Sequence, residues 1–125
     1  MKIDRIDHFV LTVADLEATR RFYCDGLAME LVTFGEGRHA LSFGQQKINL
    51  HIKGRELEPK AMTPMPGSGD FCLISSQPVE AWVAHLARYG IAIELEPTPR
   101  TGAIGPIRSI YLRDPDGNLV EISNY

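Results

Sequence analysis

DHFVLTVADLEATRRFYCDG, residues 7–26, reads as a strand followed at once by a helix. Residues 7–13 are mostly apolar and rich in β-favouring types. Asp15 is placed to cap a helix over about 16–24, because its side-chain oxygen can accept from a free N–H of the first turn. Leu16, Thr19, Phe22 and Tyr23 give that helix an inward stripe. Gly26 suits the left-handed conformation that stops it.

Working outward, MELVTF (29–34), RHALSF (38–43) and KINLHI (47–52) read as three antiparallel strands. Gly35, Gly37 and the Gly44–Gln45–Gln46 stretch mark their turns. Ile48, Leu50 and Ile52 share one face of the last strand, with Asn49 and His51 on the other. Residues 53–69, KGRELEPKAMTPMPGSG, break the pattern with three prolines and read as a linker or lid. The order then repeats. DFCLIS (70–75) is a strand, and a helix opens at Pro78 and runs to about 89 on Val79, Trp82, Val83, Leu86 and Tyr89, with Gly90 as its stop. IAIELE (91–96) is the next strand and PTPRTGAIGP (97–106) a loop. RSIYLR (108–113) and NLVEIS (118–123) follow, joined by the turn-forming DPDG of residues 114–117.

The halves agree element by element, and GLAMELV (26–32) is answered by GIAIELE (90–96). The expected fold class is therefore α+β: two βαβββ modules in a single domain, module one over about 1–52, a linker or lid over 53–69, and module two over about 70–125. Such a module leaves a sheet face in need of cover, which a second module supplies within the chain or from the partner in a homodimer.

Composition narrows the function. With 13 basic and 16 acidic residues the formal charge is -3, without the basic excess of a nucleic-acid binder. No apolar run is long enough to cross a membrane, and MKIDRIDHF lacks the apolar core of a secretion signal. Cys24 and Cys72 form no CxxC pair and read as buried thiols in a reducing, cytoplasmic protein.

Four side chains occupy repeated places. His8 and Asp70 lie in the first strands of the two modules, His51 and Glu121 in the last. If equivalent faces line the interior, all four converge on one cavity. Two imidazoles and a carboxylate make a ligand set for a divalent metal ion, with iron, manganese, zinc, nickel and cobalt all compatible. Singly, each is also what a hydrogen-bonded strand histidine or a solvent-facing glutamate looks like.

DHFVLTVADLEATRRFY together with YLRDPDGNLVEI resembles the vicinal oxygen chelate superfamily, which includes glyoxalase I, bleomycin-resistance proteins, fosfomycin-resistance enzymes and extradiol dioxygenases. The likeness covers essentially the whole chain and is nearest to small glyoxalase-domain proteins of uncertain function. It implies paired βαβββ modules whose mixed sheets form a cup around a cavity. It implies His8, His51 and Glu121 as metal ligands, Glu121 doubling as a catalytic base. Tyr111 is implied as a substrate-binding or catalytic residue, with Asp70 and Asn49 in substrate-binding or secondary roles. Asp70 stands where many members have histidine.

The implied activity is that of a divalent-metal-dependent enzyme on a small substrate with vicinal oxygens, by glyoxalase-like lyase or isomerase chemistry. The alternatives are a metal-free small-molecule or antibiotic-sequestering protein and an extradiol-type dioxygenase. For the last, Tyr111, Asp114, Pro115, Gly117 and Glu121 follow the family spacing, but TGAIGPIRSI replaces the histidine expected upstream. Lys47, Arg100, Arg108 and Arg113 are available cations that no motif places.

Overall fold

The computed structural model describes residues 1–125. The chain forms two compact units, Met1–Pro66 and Gly67–Tyr125. In the first, β1 (His8–Val13), α1 (Leu16–Arg20), β2 (Glu30–Phe34), β3 (Arg38–Phe43) and β4 (Gln46–Ile52) follow in order. The sheet order is β1-β4-β3-β2, with β1 and β4 parallel and the other neighbours antiparallel. The second repeats this with β5 (Asp70–Ile74), α2 (Val79–Arg88), β6 (Ile93–Thr101), β7 (Pro106–Arg113) and β8 (Leu119–Asn124), in the order β5-β8-β7-β6. The expected α+β fold of two βαβββ modules is thus observed as two four-stranded mixed sheets. No helix is long and apolar enough to cross a membrane.

Local chemistry accounts for most boundaries. The Asp15 carboxylate accepts from the Ala18 N–H at 2.7 Å and caps α1. Gly90, at φ 68°, ends α2. Asn124 caps α2 from β8: its Oδ1 accepts from the Val79 N–H at 2.7 Å, and its amide donates to the carbonyls of Ser75 and Gln77. The expected apolar stripe on α2 holds at Val79 and Leu86, which are fully buried, but Tyr89 is exposed.

Three expectations change. Gly26 is not the left-handed residue after the first helix. The helical path continues as a wider π-type turn over Arg21–Gly26, with Phe22 and Tyr23 both buried, and the chain reverses two residues later at Ala28, at φ 59°. An L-residue there carries a cost of about 1–2 kcal/mol. Ala28→Gly is expected to stabilise the protein by about 0.5–1 kcal/mol, net of the added freedom of the unfolded chain. Urea denaturation checks this, and a lower midpoint for the glycine variant would refute it.

Second, residues 97–101 are strand rather than loop, because β6 runs on to Thr101 and pairs Pro99 with Arg108 and Arg100 with Ile107. Register shifts between Ile93 and Thr98 absorb the irregularity. As the outermost strand of its sheet, β6 can hold Pro97 and Pro99 where an N–H would have no ladder partner. Third, Cys72 is exposed rather than buried, since β5 is also an edge strand.

Candidate functional site

In a sheet, side chains alternate between faces and paired residues share one. In the first module Leu11, Val13, Leu41, Ile48 and Leu50 form the buried apolar face. The register His8↔Lys47, Val10↔Asn49 and Thr12↔His51 puts His8, Asn49 and His51 together on the opposite face. In the second module Ile110, Leu112, Val120 and Ile122 are buried, while Asp70, Cys72 and Glu121 take the opposite face through Asp70↔Leu119 and Cys72↔Glu121. Tyr111 joins that face as the cross-strand partner of Glu121.

These registers correct one sequence-based pairing. His8 and Asp70 do correspond, each opening its first strand. Counting two residues along from their partners Lys47 and Leu119, the counterpart of Glu121 is Asn49, and His51 corresponds to Ser123. His8 and Asn49 are offset by two positions, about 7 Å along the strands, as are Asp70 and Glu121. His51 is offset from His8 by four positions, about 13 Å. The signal was present in the sequence: Ile48-Asn49-Leu50 matches Val120-Glu121-Ile122 as apolar, polar, apolar. The strand ends were misleading because Gly44 and Gly117 stand at different distances from these triplets.

Each half-site has its own support. Nδ1 of His8 lies 2.7 Å from the Asp7 carboxylate, which leaves Nε2 free. That contact holds the Asp7 carboxyl below the usual range. Asn49 is 5% exposed, and its Oδ1 is buried without a hydrogen-bond partner. Such an orphaned acceptor costs about 1–3 kcal/mol unless a donor or cation meets it. Glu121 is half-buried, and its Oε1 accepts from the Ser123 hydroxyl at 3.3 Å. Ser123 is fixed in turn by Ser109 at 2.7 Å, both fully buried.

Cys72 Sγ is 3.2 Å from the Ser123 hydroxyl. Although Cys72 is exposed, partial desolvation of its sulfur pushes the thiol pKa up; the Ser123 contact opposes this and the Glu121 carboxylate adds to it. Glu121→Gln is therefore expected to lower the Cys72 pKa and speed its reaction with a thiol reagent between pH 7 and 9. An unchanged rate–pH profile in a Cys24→Ala background would show that the two groups do not interact.

The extension of β6 places Arg100, a cation that no motif had located. Its Nε donates to the Tyr111 hydroxyl at 3.0 Å, and the guanidinium is 5.5 Å from the ring centroid. With its oxygen accepting from Arg100, Tyr111 keeps its own O–H to donate elsewhere.

The donor chemistry fits a divalent cation. The first module offers an imidazole nitrogen and an amide oxygen, and the second two carboxylates, donor types that suit a divalent cation. No three His, Cys, Asp or Glu side chains of the chain stand close enough together to hold a metal ion. The first module places His8 and Asn49, and the second Asp70 and Glu121, at matching positions.

The family model described as the Glyoxalase/Bleomycin resistance protein/Dioxygenase superfamily matches residues 5–122. The chain is 56% identical over 125 residues to the virulence protein STM3117 of Salmonella typhimurium, covering 100% of this chain and 87% of that protein. The crystal structure of STM3117 superposes with a TM-score of 0.98, covering 100% of this chain and 99% of that one. The glyoxalase domain-containing protein RDO1 of Mycosarcoma maydis is 50% identical over 125 residues, covering 100% of this chain and 70% of that protein. An integron cassette protein from the mobile metagenome of V. cholerae is 51% identical, with a TM-score of 0.97 over 100% of this chain and 98% of that one.

Proposed function

This chain belongs to the Glyoxalase/Bleomycin resistance protein/Dioxygenase superfamily, and from that membership we propose that it is a divalent-metal-dependent enzyme. Its substrate is a small molecule with two adjacent oxygens, and its reaction is of the glyoxalase-like lyase or isomerase class. The observation that carries this reading is the repeated half-site: His8 with Asn49, and Asp70 with Glu121, at equivalent places on the two sheets.

His8 and Glu121 are the principal ligands, and Asn49 Oδ1 and the Asp70 carboxylate complete the set. His51, one pleat beyond Asn49, stands outside it in this reading. When bound, a divalent cation would supply Lewis-acid polarisation of the two substrate oxygens. Glu121, held by Ser123, takes the proton from the carbon next to the polarised oxygens. Tyr111, its oxygen engaged by Arg100, donates its own proton to a developing oxyanion.

The protein acts as a homodimer in the cytoplasm. Val10 and Ile74 are exposed apolar residues on the half-site faces, which supports cover by a partner, and its free thiols suit a reducing compartment.

The test is elemental analysis of protein purified without a metal-chelating tag, followed by exchange of substrate C–H for deuterium in a panel of α-hydroxycarbonyl compounds. Stoichiometric metal with metal-dependent exchange is the expected result. Absence of tight divalent-metal binding would sink the reading in favour of a metal-free binding protein. Co-expression of His8→Ala and Glu121→Gln chains then locates the half-sites: metal regained in mixed dimers assigns the two halves of a site to different chains, and no recovery assigns them to one.

A further inference from the structure

The first module carries a half-open cavity of about 460 Å³ where the start of α1, the β2–β3 turn and the end of β4 meet. His51 lines it and is only 8% exposed, and its ring forms no hydrogen bond within the chain. The ring meets the cavity with its hydrogen-bonding capacity unused by the chain. Two arginines, Arg38 and Arg55, also line the cavity, and neither enters an ion pair. Arg38 is exposed, and its guanidinium lies 4.7 Å from the Phe34 ring centroid, a contact that favours this position before any ligand arrives. The two acids at the cavity offset the formal charge of these cations but form no ion pair with them. The Asp15 carboxylate is engaged in capping α1, and Glu36 lies in the exposed β2–β3 turn without an ion pair. Leu16, Ile52 and Leu57 supply an apolar wall.

We propose that this cavity is a binding site for a small organic carboxylate. The carboxylate is held by Arg38 and Arg55, whose forked donors match its two oxygens, and His51 bonds it from the buried side. The apolar body of the ligand rests on Leu16 and Leu57. The site uses no residue of the proposed metal set, so it stands whether or not metal binds.

Benzoate is the probe, titrated calorimetrically into the full-length protein in the presence of EDTA, with benzamide as its uncharged counterpart and inorganic phosphate as the competing anion. The expected result is saturable one-to-one binding of benzoate, weakened roughly tenfold or more in Arg55→Ala and in Arg38→Ala. Benzamide is expected to bind at least as weakly as benzoate does to those variants. Neither arginine has a salt-bridge partner to lose, so both variants should fold, as circular dichroism can verify. His8→Ala and Glu121→Gln are expected to bind benzoate as the parent does, which separates failure of this site from failure of the metal reading. No saturation by benzoate, equal binding of benzamide, tighter binding of phosphate, or unchanged affinity in both arginine variants would each overturn the proposal.

Discussion

Glu121→Gln is expected to weaken divalent-metal binding by at least about 100-fold, the upper end of what loss of a mere supporting residue costs. The substitution keeps the shape of the side chain and an oxygen for the Ser123 hydroxyl, so the buried Ser109–Ser123 pair beneath it should persist. What it removes is the negative charge, the main reason a cation would prefer this spot. His8→Ala should match it, because the imidazole is the only nitrogen donor in the set. Asn49→Ala removes a neutral oxygen and should cost less, about tenfold. His51→Ala should leave metal affinity within error of the parent, since the register sets it four positions from His8. Competition titration with a chromophoric chelator measures all four. Metal affinity unchanged in Glu121→Gln would end the reading, and a His51→Ala loss as large as that of His8→Ala would return His51 to the ligand set.

How far the sequence could be read depended on where each piece of information resides. Asp15 as a helix cap and Gly90 as a helix stop express chemistry carried by the residue itself, and both stand in the structure. The βαβββ order repeated because its punctuation repeated. Pro97 and Pro99 were different: whether a proline ends a strand depends on whether that strand is at the sheet edge, a property of strand order rather than of residues 97–101. The same order exposes Cys72, whose apolar neighbours suggested burial. The partner of Glu121 was missed for a third reason. Turns of unequal length shift any count made from strand ends, and only alternation around the polar residue preserves register. Arg100 reaches Tyr111 only because β6 continues to Thr101, a pairing that no local pattern encodes.

Asp114→Ala is expected to destabilise the protein by about 3–5 kcal/mol, a large effect for a residue outside the apolar core. Asp114 is 5% exposed and accepts from the backbone N–H groups of Asp116 and Asn118, each at 2.9 Å, and from the Asn118 amide at 2.7 Å. Alanine leaves those donors unmet at a site with little water. The loss propagates, because Asn118 is 1% exposed and its Oδ1 accepts from the Gly69 N–H at 2.6 Å, while the Gly69 carbonyl accepts from Leu119 N–H at 3.0 Å. This tie fixes the segment entering β5, and with it the position of Asp70. A β-carbon on Gly67 would come within 2.6 Å of the Asp116 carbonyl oxygen, so the approach of this segment to the turn is close as well. Asp114→Asn keeps an acceptor for the backbone donors but turns an amide towards the Asn118 amide, and should cost less than alanine. Urea denaturation with an unchanged m-value, together with faster hydrogen exchange at the Gly69 and Leu119 amides, is the expected signature. An Asp114→Ala midpoint equal to that of the parent would mean that the turn's hydrogen bonds contribute nothing to the fold, and that Asp70 is positioned by β5 alone.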